Sequence, residues 1–223
     1  MSYKLVIFDL DGTLVDTIAD LGAAVNVALE KRRLPLHSLE EYRKMVGNGV
    51  RKLVQRAMPA AMQADEALLD ALLADFMTYY IEHINDKSAP YPGIPELLAE
   101  LDAAGVKLAV ASNKFQSGAE KLIGRLFPQV PFVAVCGGGQ GRPLKPDPAV
   151  IRQICAAAGE PLARTVLVGD SGTDMATAAA AGIPAVAVTW GFRPEDARAA
   201  ADRVAETAAE LRDILISCDC TNA

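Results

Sequence analysis

Two carboxylates stand two residues apart near the start of the chain, in the segment Asp9-Leu10-Asp11-Gly12-Thr13. They close an apolar, β-branched run, residues 4–10, which predicts a strand buried on both faces. Side chains two apart on a strand point to the same side, and neither charge belongs in a core. A turn role explains one aspartate here but not two in front of Gly12. We therefore interpret Asp9 and Asp11 as site residues at the carboxyl end of this strand.

A second acidic pair follows a later predicted strand, residues 165–168. Asp170 stands at the end of that strand and Asp174 at the start of the next helix, where a helix-capping role is a competing interpretation. Four carboxylates from two strand ends repel one another unless a divalent cation neutralises them. Hard oxygen ligands favour Mg²⁺, which binds through one or two carboxylates and a substrate phosphate. The predicted metal ligands are Asp9, Asp11, Asp170 and Asp174.

Two weaker signals follow the other predicted strands. Ser112-Asn113 comes after residues 106–111, and its hydroxyl and amide could hold phosphate oxygens, although Ser-Asn also begins many helices. Lys145-Pro146 follows a glycine-rich loop, residues 137–141. The ammonium of Lys145 could bridge an acidic nucleophile and a bound phosphate, although this lysine taken alone is more typical of a solvated surface.

Alternating strands and helices must position these residues. The predicted strands cover residues 4–10, 106–111, 132–136, 165–168 and 185–188. Stretches with helical spacing separate them, over residues 95–104, 116–126, 149–158, 174–181 and 194–201. This alternation predicts an α/β fold with a parallel sheet and right-handed crossovers.

One interval carries helical patterns alone. Residues 17–32, 39–45, 49–58 and 66–84 repeat apolar positions at three and four residues, and a proline-rich return follows at 89–93. We expect an inserted helical cap domain over residues 16–88. The core domain then comprises residues 1–15 and 89–223.

Length and charge limit the function classes. The 223 residues suit one domain with an insertion, and 22 Lys and Arg against 28 Asp and Glu give a net charge of −6. This balance weighs against nucleic-acid and membrane partners, which require clustered positive charge. No apolar run is long enough to span a membrane. The cysteines form no Cys-x-x-Cys pair, which predicts free thiols and a cytoplasmic protein; they are Cys136, Cys155, Cys218 and Cys220.

Taken together, the four segments resemble the haloacid dehalogenase superfamily of phosphohydrolases. The matching motifs occur in the family's order: Asp9-x-Asp11-Gly12-Thr13, Ser112-Asn113, Lys145-Pro146 and Gly169-Asp170 followed by Asp174. Within the superfamily, Met45-Val46-Gly47-Asn48-Gly49 and Ser112-Asn113-Lys114 are similar to the phosphoglycolate phosphatase branch. The resemblance covers the whole chain and implies a Rossmann-like, three-layer α/β/α core with a helical cap, its first strand central.

The resemblance also implies residue roles. Asp9 is then the nucleophile that forms an aspartyl-phosphate, and Asp11 is the general acid and base. Mg²⁺ is held by Asp9, the main-chain carbonyl of Asp11 and Asp170, with Asp174 orienting a metal-bound water. The predicted substrate-binding residues are Gly12, Thr13, Ser112, Asn113, Lys145 and Arg51. Arg51 could hold a substrate carboxylate, but a solvated helix arginine is an equally good interpretation.

The expected function is a Mg²⁺-dependent phosphomonoesterase for a small phosphorylated metabolite, with 2-phosphoglycolate first. A sugar-phosphate phosphatase or a phosphomutase is the close alternative. Dehalogenases are disfavoured because their reaction has no leaving alkoxide for Asp11 to protonate. A non-enzymatic receiver module is disfavoured because it has no cap to close over a metabolite. We expect a monomer or a homodimer.

Overall fold

The computed structural model describes residues 3–139 and 141–216. In chain order, its strands are β1 (Leu5–Phe8), β2 (Val15–Asp16), β3 (Ala89–Pro90), β4 (Lys107–Phe115), β5 (Phe132–Gly138), β6 (Thr165–Gly169), β7 (Ala185–Val188) and β8 (Arg203–Ala205). Its α-helices are α1 (Ile18–Glu30), α2 (Leu39–Met45), α3 (Val50–Ala57), α4 (Glu66–His83), α5 (Ile94–Ala103), α6 (Gln116–Leu126), α7 (Ala149–Ala158), α8 (Gly172–Ala181), α9 (Pro194–Arg198) and α10 (Ala208–Ile216).

Six strands form one parallel sheet in the order β5-β4-β1-β6-β7-β8. The predicted central place of the first strand is confirmed, because β1 lies between β4 and β6. All four residues of β1 are fully buried, as expected for a strand covered on both faces. The carboxyl ends of β1, β4 and β6 therefore lie side by side at one edge of the sheet.

Helices cover both faces of this sheet, which confirms the α/β class and its three layers. Val6 and Phe8 of β1 belong to an apolar cluster that includes residues of α5, α6 and α10. Leu5 and Ile7 point the other way, into a cluster with residues of α7, α8 and α9. This alternation follows from the two-residue period of a strand.

The helices α1 to α4 form an insertion between the short strands β2 and β3. These two strands pair with each other in antiparallel fashion, with Val15 opposite Pro90 and Asp16 opposite Ala89. Close to this ribbon, the buried carboxylate of Asp20 accepts bonds from the main-chain N–H groups of Lys87 and Ser88 and from the Ser88 hydroxyl. The outgoing and returning segments of the insertion are thus bound to each other at its base.

Some elements differ from the sequence prediction. Strand β4 continues through Phe115 and does not end at residue 111, because Phe115 pairs with Gly138 of β5 after a shift in register. The short edge strand β8 and helix α10 were not predicted. Cys136 and Cys155 are free and buried, whereas Cys218 and Cys220 lie outside the described residues. No helix of the described ranges has the length and apolarity that a membrane span requires.

Candidate active site

Asp9 follows directly after β1, at the carboxyl edge of the sheet. Its Oδ1 atom lies 2.9 Å from Nζ of Lys145, a contact between two mostly buried side chains. The pair meets as an ion pair, and Oδ1 of Asp9 accepts no oriented hydrogen bond within the described structure. Buried carboxylate oxygens are normally bonded, so this atom is free to take a further partner from outside the protein.

Asp11 lies in the turn that follows, where Thr17 donates its hydroxyl to Oδ1 of Asp11 at 2.7 Å. The turn depends on Gly12, whose φ of +92° is unfavourable for residues with a side chain. A Cβ atom there would also lie 2.4 Å from an oxygen of Asp170. Thr13 donates its hydroxyl to Oδ1 of Asp170 at 3.1 Å. Gly12 and Thr13 therefore allow Asp170 to approach the β1 turn.

Three carboxylates converge at this edge. Asp9, Asp170 and Asp174 each offer an oxygen, and these atoms lie within 4.8 Å of one another. Burial and the charges of Asp174 and Asp170 raise the pKa of Asp9 to about 8, against the opposing effect of Lys145. Burial and the charge of Asp174 likewise raise the pKa of Asp170 to about 6. A cation would relieve both effects.

This donor set fits a hard divalent cation. All the donors are carboxylate oxygens, they come from elements that the sheet holds in place, and one oxygen of Asp9 lacks an oriented bond. Mg²⁺ prefers such ligands and keeps several waters. The carboxylate of Asp11 is not part of this cluster, and the role of its main-chain carbonyl as a ligand stays a prediction.

The sequence left Asp174 open between a helix-capping residue and a residue of the acidic site, and its contacts include both kinds. Its Oδ2 atom accepts bonds from the main-chain N–H and the hydroxyl of Ser171, the reciprocal pattern that begins α8. Its Oδ1 atom accepts a bond from Nζ of Lys145 at 2.6 Å. Asp174 therefore both stabilises the start of α8 and fixes Lys145 beside Asp9.

Lys145 is almost completely buried and touches two carboxylates, Asp9 and Asp174. Burial alone would lower the pKa of Lys145, but the charges of Asp174 and Asp9 raise it above its ordinary value. Lys145 thus carries its charge at neutral pH, inside the site. The alternative of a solvated surface lysine is wrong.

Ser112 and Asn113 occupy the extension of β4. Ser112 is buried and lines the pocket beside Asp9. The amide nitrogen of Asn113 bonds to the carbonyls of Gly47 and Lys145, each at 3.0 Å, and its oxygen accepts the N–H of Lys145 at 2.8 Å. The side chain of Asn113 therefore fixes the Lys145 main chain, and its contact with phosphate stays a prediction.

Arg51 does not reach the site. Its guanidinium bonds to Asp70 at 2.6 Å and to Glu66, and about half of its side chain is exposed. Both partners belong to α4, so the position of Arg51 on α3 directs it along the outside of the insertion. Arg51 does not line the pocket in this arrangement, and its substrate contact stays a prediction.

A pocket separates the acidic edge from the insertion. Asp9, Asp11 and Lys114 lie along its core side. The insertion contributes an apolar wall that consists of Leu21, Val46, Val50, Leu53 and Phe76. Such a wall suits a small ligand with few hydroxyl groups. A ligand hydroxyl that faces it loses its hydrogen bonds to water and finds no partner on the protein to replace them.

Lys114 is a site residue that the sequence analysis did not select. Its ammonium lies 3.0 Å from Oδ1 of Asp11 and 2.6 Å from the hydroxyl of Tyr80 on α4. Its side chain is 2% exposed. Burial would lower the pKa of Lys114, but Asp11 and Tyr80 raise it. Its position directly after Ser112-Asn113 was the available signal.

Comparison with known proteins places these features in a family. A family model for haloacid dehalogenase-like hydrolases matches residues 6–188, which include the acidic cluster and Lys145. The phosphoglycolate phosphatase of Mesorhizobium japonicum is 39% identical over 199 residues, 89% of this chain and 88% of that protein. The phosphoglycolate phosphatase of Caulobacter vibrioides is 39% identical over 85% of this chain and 81% of its own. A crystal structure from Lactobacillus delbrueckii subsp. bulgaricus, assigned as a phosphoglycolate phosphatase, has a TM-score of 0.90 at 32% identity, covering 97% of this chain and 99% of that chain.

Proposed function

This chain belongs to the haloacid dehalogenase-like hydrolases and is a phosphoric monoester hydrolase, and we propose that it is a Mg²⁺-dependent phosphoglycolate phosphatase. The observation that carries the proposal is the place of Asp9 beside Lys145, at the end of an apolar pocket that also contains Asp11. The relatives named above support the choice of 2-phosphoglycolate. The apolar wall of the pocket favours a small leaving group over a sugar, which carries several hydroxyl groups.

In the proposed reaction, an oxygen of Asp9 attacks the phosphorus atom. A bond forms between this oxygen and phosphorus while the bond from phosphorus to the ester oxygen breaks. Asp11 gives its proton to the departing oxygen, so the product leaves as an alcohol. The phosphoryl group is then held on Asp9 as an aspartyl-phosphate. Asp11 next takes a proton from water, which attacks phosphorus and regenerates the Asp9 carboxylate with release of phosphate.

Lys145 stabilises the charge that moves during these steps. Its ammonium lies beside the attacking carboxylate, so it can also contact a phosphoryl oxygen bound there. Asp174 and Asn113 hold it in that place, one through the ammonium and the other through the main chain. We propose that Asp9, Asp170 and the carbonyl of Asp11 hold Mg²⁺, with Asp174 next to it. When bound, the ion would neutralise the carboxylates and the phosphoryl oxygens.

We further propose that residues 16–88 act as a cap that closes over the substrate, since the insertion supplies one wall of the pocket. The free thiols of Cys136 and Cys155 favour a reducing compartment, and we propose the cytoplasm. A monomer or a homodimer stays a prediction from the sequence.

A panel of phosphomonoesters tests the proposed function. With Mg²⁺ present, kcat/KM is measured for 2-phosphoglycolate, ribose 5-phosphate, glucose 6-phosphate and glycerol 3-phosphate. We expect the highest value for 2-phosphoglycolate. A higher kcat/KM for either sugar phosphate would contradict the substrate assignment and favour the sugar-phosphate alternative. An absence of hydrolysis across the whole panel would contradict the proposed phosphatase.

A further inference from the structure

The buried ammonium of Lys114 comes from the core domain and contacts the insertion. It lies between the carboxylate of Asp11 and the hydroxyl of Tyr80, which belongs to α4. An ammonium has three N–H donors, and these two groups are the partners present in the described structure. Lys114, Asp11 and Tyr80 all line the pocket, so a ligand bound there meets this charge.

Tyr80 is held firmly in the same place. Its ring stacks on Phe76 at a centroid distance of 4.9 Å and is fully buried. Burial raises the pKa of Tyr80 to about 12, against the opposing effect of Lys114, so the side chain is a neutral phenol at physiological pH. Its oxygen accepts a bond from Lys114, which leaves its own O–H proton available to an acceptor in the pocket.

The distance from Lys114 to Asp11 limits which group of a bound substrate can accept hydrogen bonds from Lys114 and Tyr80. In the proposed reaction Asp11 protonates the ester oxygen, which must lie within about 3 Å of the carboxyl group. Nζ of Lys114 lies 3.0 Å from Oδ1 of Asp11, and the same ammonium contacts Tyr80 of the insertion across the pocket. An anionic group one or two bonds beyond the ester oxygen therefore reaches Lys114, whereas the surrounding apolar wall offers few partners to hydroxyl groups.

We propose that Lys114 and Tyr80 together bind a carboxylate on the leaving group and select phosphorylated short 2-hydroxy acids as substrates. The inference rests on the proposed phosphatase function and adds the residues that determine its specificity. A lysine and a phenol both donate to the carboxylate, and a charge-assisted bond in a buried site is strong. The guanidinium of Arg51, which the sequence offered for this role, lies outside the pocket.

The test compares two esters that differ in this group alone. 2-Phosphoglycolate carries a carboxylate, and 2-hydroxyethyl phosphate carries a neutral hydroxymethyl group at the same position. The measured quantity is the kcat/KM for 2-phosphoglycolate divided by the kcat/KM for 2-hydroxyethyl phosphate. This ratio is determined for the wild type, for Lys114→Met and for Tyr80→Phe. We expect the ratio to fall at least about tenfold in Lys114→Met, and by a smaller factor in Tyr80→Phe.

Lys107→Met is the matched control. Lys107 is the first residue of the same strand, and its ammonium bonds to the carbonyl of Ala158 and to Glu160, away from the pocket. The Lys107→Met variant should therefore have the same ratio of kcat/KM values as the wild type. Tyr80→Phe keeps the ring stack with Phe76 and tests the proposal by itself if Lys114→Met does not fold.

The failures of the two proposals can be distinguished. If the wild type hydrolyses 2-phosphoglycolate but neither folded variant lowers the ratio, the role of Lys114 and Tyr80 is overturned and the phosphatase stands. If the wild type hydrolyses the neutral ester with the same kcat/KM as 2-phosphoglycolate, the carboxylate site is also overturned. A wild type that hydrolyses neither ester overturns the proposed function itself.

Discussion

Nζ of Lys145 lies 2.9 Å from Oδ1 of Asp9, although 136 positions separate the two residues in the sequence. The parallel sheet brings them together, because Asp9 follows directly after β1 and the loop after β5 returns Lys145 to the same edge. Asp174 holds the ammonium from its other side. A cation fixed in this way stabilises charge without having to move during the reaction.

Lys145→Met should therefore remove most of the activity. We expect kcat to fall by about 10²–10³-fold, since the variant loses a preorganised charge at the reacting centre. Steady-state kinetics with 2-phosphoglycolate measure the loss, and circular dichroism checks the fold. Lys107→Met also removes one lysine charge and should keep the wild-type kcat. An equal fall of kcat in both variants would assign the effect to the change in net charge and contradict a specific role of Lys145.

Removal of divalent metal should abolish hydrolysis. Asp170 and Asp174 are buried beside the mostly buried Asp9, and without a cation the charges of the three carboxylates repel one another. We expect EDTA to stop turnover, added Mg²⁺ to restore it, and Mg²⁺ to raise the Tm of the chelated protein. Hydrolysis that persists at the wild-type rate after complete chelation would rule out the metal assignment. Asp170→Asn should weaken both the recovery of activity and the rise in Tm.

Arg51→Ala should leave catalysis unchanged. The arginine bonds to Glu66 and Asp70 on the outside of the insertion and does not line the pocket. Exposed ion pairs of this kind contribute little to stability. We expect the same kcat/KM for 2-phosphoglycolate as in the wild type. A large increase in KM for this substrate would show that the insertion rearranges to bring Arg51 into the site.

Asp20→Ala should destabilise the base of the insertion. The carboxylate is 3% exposed and accepts bonds from the N–H groups of Lys87 and Ser88. Without it these donors lose a charged partner, and we expect the free energy of unfolding to fall by about 2–4 kcal/mol. Urea denaturation measures the change. Asp102→Ala, an exposed aspartate on α5, is the control and should shift stability by less than about 0.5 kcal/mol.

The central part of the fold could be predicted from the sequence. The run 4–10 and the alternation that follows are strong patterns, because strands buried on both faces are continuously apolar. Strand β8 has three residues, of which Arg203 is exposed, so no apolar pattern distinguishes it from a loop. Its strand character comes from pairing with β7, which is a tertiary effect.

The candidate site was predictable to a similar degree. Paired carboxylates after buried strands identified Asp9 and Asp170, because a charge at the end of a buried strand is costly unless it has a partner there. The roles of Asn113 and Lys114 depended on how far β4 extends past residue 111, which in turn depends on its pairing with β5. The sequence left two interpretations open for Arg51, because its bonds to Glu66 and Asp70 depend on how α3 packs beside α4.

Asp9→Asn tests the role of Asp9 as the nucleophile, on which the proposed mechanism depends most directly. Burial raises the pKa of Asp9 to about 8, so a neutral amide of the same shape suits this position and the metal-free protein should keep its Tm or gain stability. With Mg²⁺ and 2-phosphoglycolate, we predict that the hydrolysis of this folded variant falls to the uncatalysed background. A folded Asp9→Asn variant that turns over 2-phosphoglycolate at the wild-type rate would contradict the mechanism.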